Sequence, residues 1–170
     1  MDVAVEIPAG AYRLRRWRSV DAGQVFRACQ GPEIQRWTTV PVPYTEADAE
    51  GFVAGAGDEP LFAVTERGDD VLGSFGLVVV EGERAEVGCW VAPWARGIGV
   101  GEAAGRALAR WALGEPGFRR LEWIADVGNE ASLRLAARIG FAPERTLPGH
   151  LENRDGTRSD AVLAVLDETP

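Results

Sequence analysis

Residues Val91 to Trp111, VAPWARGIGVGEAAGRALARW, constrain the fold more than any other stretch. A strand-like run leads into Arg96 and the alternating glycines Gly97, Gly99 and Gly101, and then into a helical pattern. From Val100, the residues Ala103, Ala104, Ala107, Leu108, Trp111 and Ala112 recur on one helical face, and Gly114 and Pro116 close it. The first amide N–H groups of such a helix have no intrahelical acceptor, and its dipole is positive at that end. A glycine loop feeding that terminus therefore predicts an anion site beside a sheet.

The segments around this unit say what sheet it joins. AYRLRRW (Ala11–Trp17) reads as a strand with Tyr12 and Leu14 on one face and its arginines on a solvated face. Ser19 or Asp21 is placed to cap a helix through Cys29, with Gly31-Pro32 as a turn. Pro41 and Pro43 exclude a regular helix over Arg36–Thr45, and Thr45 with Asp48 forms a capping box for a helix to about Ala56. LFAVTE (Leu61–Glu66), VLGSFGLVVV (Val71–Val80) and RAEVGCWVA (Arg84–Ala92), joined by short polar turns, predict an antiparallel meander. Gly88 interrupts its third strand, where a glycine marks a bulge or a close approach. Beyond the glycine loop follow a strand at Leu121–Asp126, a helix capped by Asn129 and ended by Gly140, and strands at Phe141–Leu147 and Ala161–Leu166 with a polar segment between them. The expectation is one α/β domain over residues 1–170, core about 11–166, with a mixed, mostly antiparallel sheet.

Composition removes several functions. The basic residues are all arginine, so a Walker lysine or a Schiff-base lysine is excluded. Cys29, Cys89 and His150 are too few for a Cys/His zinc site, and no metal is expected. A net charge of −8 argues against nucleic-acid binding and suits a cationic substrate. No apolar run approaches the roughly 20 residues of a membrane span, and the first dozen residues lack the pattern of a secretory signal. A cytoplasmic setting without membrane partners is expected.

Gly99-Val100-Gly101-Glu102-Ala103-Ala104 also fits the dinucleotide fingerprint, with Asp126 ending the next strand. That reading leaves too little chain after the motif for the usual doubly wound sheet. The residues around the glycines offer a better one. Arg96-Gly97-x-Gly99-x-Gly101 resembles the [QR]-x-x-G-x-[GA] signature of the GNAT superfamily of acyl-CoA-dependent N-acyltransferases, and Asn129-x-x-Ser132 with Gly140-Phe141 resembles its N-x-x-S-x(7)-G-F segment. RWTTVPVPYTEADAEGF (Arg36–Phe52) and RSDAVL (Arg158–Leu163) resemble the branch of ribosomal-protein N-terminal alanine acetyltransferases.

The resemblance implies helices on both faces of the sheet, splayed central strands, and acetyl-CoA as the acyl donor to a primary amine, by direct attack and without a metal. It places the coenzyme pyrophosphate on Arg96, Gly97, Ile98, Gly99, Val100 and Gly101, and the pantetheine arm near Trp90 and Val91. Trp90 is otherwise core packing. Asn129 is an N-cap that also contacts the arm. Ser132 is either the general acid for the thiolate or a capping-region serine; the tyrosine frequent in the family is Ala136 here. Glu86 is the candidate general base, with His150, Glu152 and Asp160 as alternatives, Asp160 being better suited to ordering the last hairpin. Trp37 and Tyr44 are expected to wall the acceptor pocket, and the sequence leaves a homodimer open. The rival readings are a non-catalytic CoA-binding module and a small NAD-binding oxidoreductase.

Overall fold

The computed structural model describes residues 5–114 and 117–167. Eight strands form one sheet in the order β1-β2-β3-β4-β5-β6-β8-β7. They are β1 (Ile7–Ala9), β2 (Tyr12–Arg15), β3 (Leu61–Thr65), β4 (Val71–Glu81), β5 (Arg84–Val91), β6 (Arg120–Asp126), β7 (Ala142–Glu152) and β8 (Arg158–Asp167). The helices are α1 (Ala22–Ala28), α2 (Pro32–Trp37), α3 (Glu46–Ala56), α4 (Val100–Leu113) and α5 (Glu130–Ile139). This is the expected α/β class with a mostly antiparallel open sheet. By packing, the chain divides into a unit of Met1–Leu77 with Gly88–Leu108 and a unit of Val78–Val87 with Ala109–Pro170.

In the first unit β1, β2, β3 and β4 pair antiparallel, with Leu14 against Val64 and Phe62 against Phe75. Leu14, Phe62, Val64, Val71 and Phe75 are fully buried there, as the alternation of apolar residues requires. The Thr45 capping box forms as expected: Asp48 N–H donates to Thr45 Oγ1 at 3.2 Å, and Thr45 N–H donates to Asp48 Oδ2 at 2.8 Å.

Two local readings are corrected in this unit. Pro32 is not in a turn but is the first residue of α2, where its missing N–H costs nothing and its fixed φ suits a helix. The arginines of β2 are not all solvated. Arg15 is only 3% exposed, and it donates to both carboxylate oxygens of Asp21 at 2.8 and 3.0 Å. Asp21 also accepts the Arg18 N–H at 2.8 Å and so makes no side-chain cap on α1. Asp69, in the β3–β4 turn at φ 65°, gathers Arg13, Arg15 and Arg18. Their guanidinium groups, Arg13 first and Arg18 next, pull its carboxyl down to about 2.

In the second unit β6 pairs antiparallel with β8 from Arg120↔Asp167 to Asp126↔Ala161. The start of β5 pairs parallel with β6 at Arg84↔Arg120, Ala85↔Leu121 and Glu86↔Glu122. That register ends at Glu86, although β5 runs on to Val91 and β6 to Asp126. β7 is longer than expected and reaches Glu152, so His150 lies on a strand rather than in an irregular segment. A register shift between Leu147 and Leu151 absorbs Pro148 and Gly149. Asp160 holds the shift by accepting the Gly149 N–H at 2.8 Å, and Arg158 Nε donates to the Gly149 carbonyl at 2.7 Å. Asp160 thus orders the last hairpin. α4 ends at Leu113 with Gly114 N–H bonded to the Arg110 carbonyl; Pro116 lies outside the described residues.

Candidate functional site

In the first unit the glycine loop is tied down on each side and open in the middle. Ala92 N–H donates to the Leu72 carbonyl at 2.8 Å, and the Trp94 indole N–H donates to the Val71 carbonyl at 3.0 Å. Ala95 and Val100 are buried, which anchors both ends of the loop. Arg96, Gly97, Ile98 and Gly99 between them are exposed. Gly97 and Gly99 take φ of 76° and 86°, the left-handed region that favours glycine. A Cβ at either would meet nothing within 4 Å, so the loop leaves an open cradle.

The helix N-terminus completes that cradle. The Gly99 carbonyl accepts the Ala103 N–H at 3.1 Å, so α4 begins there and the N–H groups of Val100, Gly101 and Glu102 have no acceptor within the helix. Glu102 is a negative charge in this first turn, but it pairs with Arg106 at 3.1 Å one turn further on. Arg96 makes no ion pair with another described residue. Free amides, a helix dipole and an unpaired guanidinium fit a diphosphate in charge and in hydrogen-bonding capacity. Tyr12, which the sequence does not mark, donates its hydroxyl to the Ile98 carbonyl at 3.3 Å and steadies the loop.

Trp90 and Val91 end β5 in the same unit, both half-buried. The Trp90 ring lies 6.3 Å from Trp17, which meets Phe52 edge-on at 5.2 Å. The Trp17 indole N–H is buried without a hydrogen-bond partner among the described residues. Beside it a groove of about 440 Å³ is lined by Trp17, Ser19, Ala22, Glu50, Val53 and Ala54. The two expected pocket residues separate here. Trp37 is half-buried at the end of α2, its indole N–H bonded to Glu33 at 3.2 Å and its ring under Arg36. Tyr44 is only 5% exposed and its carbonyl accepts the Gln30 side-chain amide N–H at 3.0 Å, so it anchors the proline-rich segment from inside instead of offering a wall. Burial is the first cause that raises its phenol, and burial pushes the Cys29 thiol up to about 11.

In the second unit Asn129 caps α5 by accepting the Ser132 N–H on Oδ1 at 3.2 Å. Ser132 Oγ accepts the Trp123 indole N–H at 2.9 Å. A hydroxyl held that way by its oxygen keeps its own proton free to donate. Trp123 is 2% exposed on β6 and packs its ring 5.5 Å from Phe141. Position 136, where the resemblance leads to the expectation of a tyrosine, is a buried alanine. Glu86 is half-buried on β5. Burial raises its carboxyl and the Glu122 charge adds to that, while His150 and Arg84 pull the other way. Glu122 itself is held by Arg84 at 3.3 Å and Arg120 at 3.2 Å. Among the described residues, no group of three or more His, Cys, Asp or Glu stands ready to hold a metal ion. No helix of the described residues is long and apolar enough to cross a membrane.

A family model described as an acetyltransferase (GNAT) domain matches residues 12–142. No curated protein sequence matches the chain. Solved structures share its fold at low identity. A GNAT-family acetyltransferase from Bacillus anthracis is 19% identical, with a TM-score of 0.86 over 96% of this chain and 99% of that one. A RimL ribosomal alpha-N-protein acetyltransferase in complex with coenzyme A is 18% identical, with a TM-score of 0.85 over 96% and 98%. A ribosomal-protein alanine acetyltransferase from Vibrio fischeri is 16% identical, with a TM-score of 0.82 over 98% and 100%.

Proposed function

The chain belongs to the GNAT acetyltransferase family, and on that premise we propose that it transfers an acetyl group from acetyl-CoA to a primary amine. The observation that carries the reading is the open cradle at the N-terminus of α4. Arg96 and the amides of Val100, Gly101 and Glu102 hold the coenzyme's diphosphate, with Gly97 and Gly99 bare beneath it. The backbone of Trp90 and Val91 receives the pantetheine arm. The coenzyme supplies an activated acyl thioester.

The protein's part is then proton handling and orientation. Ser132, oriented by Trp123, holds a proton at Oγ for the departing thiol. Glu86 takes a proton from the incoming ammonium through water, and its raised carboxyl is a better base than an exposed glutamate. The acceptor to try first is a free protein N-terminus, the substrate type named for the ribosomal-protein neighbours.

The test is thiol release from acetyl-CoA across peptides with free N-termini, polyamines and aminoglycosides. Saturable release with one of these classes is expected. Tight CoA binding with no release on any of them would favour a binding module, the reading that Ala136 leaves open. Ser132→Ala is expected to lower kcat by about 10²-fold, the low end for a general acid, with acetyl-CoA affinity within about twofold. Equal losses in both would make Ser132 a positioning residue. Glu86 must lose its proton to act, so kcat/KM is expected to rise with pH through an acid limb above the ordinary glutamate value of about 4.3. Glu86→Gln should abolish that limb; a limb that survives in the variant rules Glu86 out as the base.

A further inference from the structure

β4 carries two glycines that no other residue can replace without a shift of backbone. A Cβ at Gly76 would stand 2.5 Å from the Pro60 carbonyl oxygen and 2.7 Å from Leu61 Cα. A Cβ at Gly73 would stand 2.6 Å from the Trp90 carbonyl oxygen and 3.4 Å from Val91 Cα. Gly76 is the tighter of the two, with Leu61 Cδ1 also at 2.8 Å, and the two touch different things. Gly76 faces the start of β3, whereas Gly73 faces the peptide between Trp90 and Val91. That peptide's oxygen lies where a side chain at position 73 would begin. A trans peptide holds its N–H opposite its C=O, so the Val91 N–H points away from Gly73. The Ala92 N–H bond to the Leu72 carbonyl fixes the chain just beyond.

We propose that Gly73 is a positioning residue of the acyl-transfer site: its bare Cα admits the Trp90 carbonyl and so aims the Val91 N–H at the thioester carbonyl of the donor. The inference rests on the acyl-CoA reading above. Its physical content is directional. A Cβ at 73 would stand 2.6 Å from the Trp90 oxygen, so β4 and the Trp90–Val91 peptide must part, and turning that peptide turns the N–H on its other side. Hydrogen bonds weaken steeply as their angle closes, and a donor aimed at developing negative charge is worth about 10²–10³-fold in kcat where such donors have been removed. Gly76 supplies the control, because a Cβ there strains the same strand without touching Trp90.

The experiment binds carbonyl-¹³C acetyl-CoA to the wild type, Gly73→Ala and Gly76→Ala, and records the carbonyl resonance, the affinity and the thermal unfolding of each. In the wild type the resonance should move downfield from its free position, as for a hydrogen-bonded carbonyl. Both variants should unfold at lower temperature. Gly76→Ala should keep the downfield shift. Gly73→Ala should lose most of it, with affinity within about threefold and kcat lower by about 10-fold or more. A Gly73→Ala variant with the wild-type shift overturns the proposal, as does loss of the shift in both variants or a wild type that binds without one. A wild type that does not bind acetyl-CoA overturns the functional reading, and this one with it. If Gly73→Ala does not fold, the Val91 amide proton of the wild type decides. A larger downfield move with acetyl-CoA than with CoA supports the proposal, and equal moves overturn it.

Discussion

Asp21→Ala is expected to lower the unfolding free energy by about 3–5 kcal/mol, the cost of breaking a buried ion pair from one side. Arg15 and Asp21 are 3% and 2% exposed, and the guanidinium meets both carboxylate oxygens. Without Asp21 the charge on Arg15 stays buried, with the Arg16 carbonyl and the half-exposed Asp69 as its remaining partners. The Arg18 N–H loses its acceptor too. The pair's net worth is a separate quantity, because two buried charges are costly to desolvate. Replacing both by apolar residues of similar volume, Arg15→Met with Asp21→Leu, should therefore recover much of the loss. Urea titration of the wild type, the single variants and the double variant measures this. A single-variant cost under about 1 kcal/mol, the range of an exposed pair, would contradict the burial.

Gly99→Asp is expected to weaken acetyl-CoA binding by about 10²-fold more than Gly99→Asn does. Gly99 sits at φ 86° with nothing within 4 Å of a Cβ, so both side chains fit in the space available. Asn and Asp are the side chains that best tolerate this backbone region, so the conformational cost is common to the two variants. What separates them is one negative charge facing a diphosphate. Like charges brought together at an interface cost several kcal/mol, and about 2.7 kcal/mol corresponds to the expected hundredfold. Equal affinities for Asp and Asn would remove the diphosphate from this loop. Thermal unfolding of both variants checks that the change is in binding.

The sequence was most legible where its signals are local. The glycine loop, the one-sided apolar face of α4, the Thr45–Asp48 box and the Asn129 cap each depend on residues within a few positions of one another, and each stands in the structure as read. The meander was legible because its turns are short. The misreadings come where a distant partner decides. Arg15 is buried by Asp21 and Asp69, neither of which alternation within β2 reveals. Tyr44 reads as part of a pocket wall, but it packs inside and is only 5% exposed. Trp123 on Ser132 and Tyr12 on Ile98 are contacts across 9 and 86 positions, without any local mark. The close approach of Trp90 to Gly73 belongs to the same class, since only the pairing of strands brings those backbones together.

Titration calorimetry with acetyl-CoA tests the central claim most directly. The account predicts saturable binding at one site per chain, displaced by CoA and weakened by salt, because much of the attraction is to phosphate. No binding of acetyl-CoA, together with saturable binding of NADH, would contradict it and return the glycine loop to the dinucleotide reading.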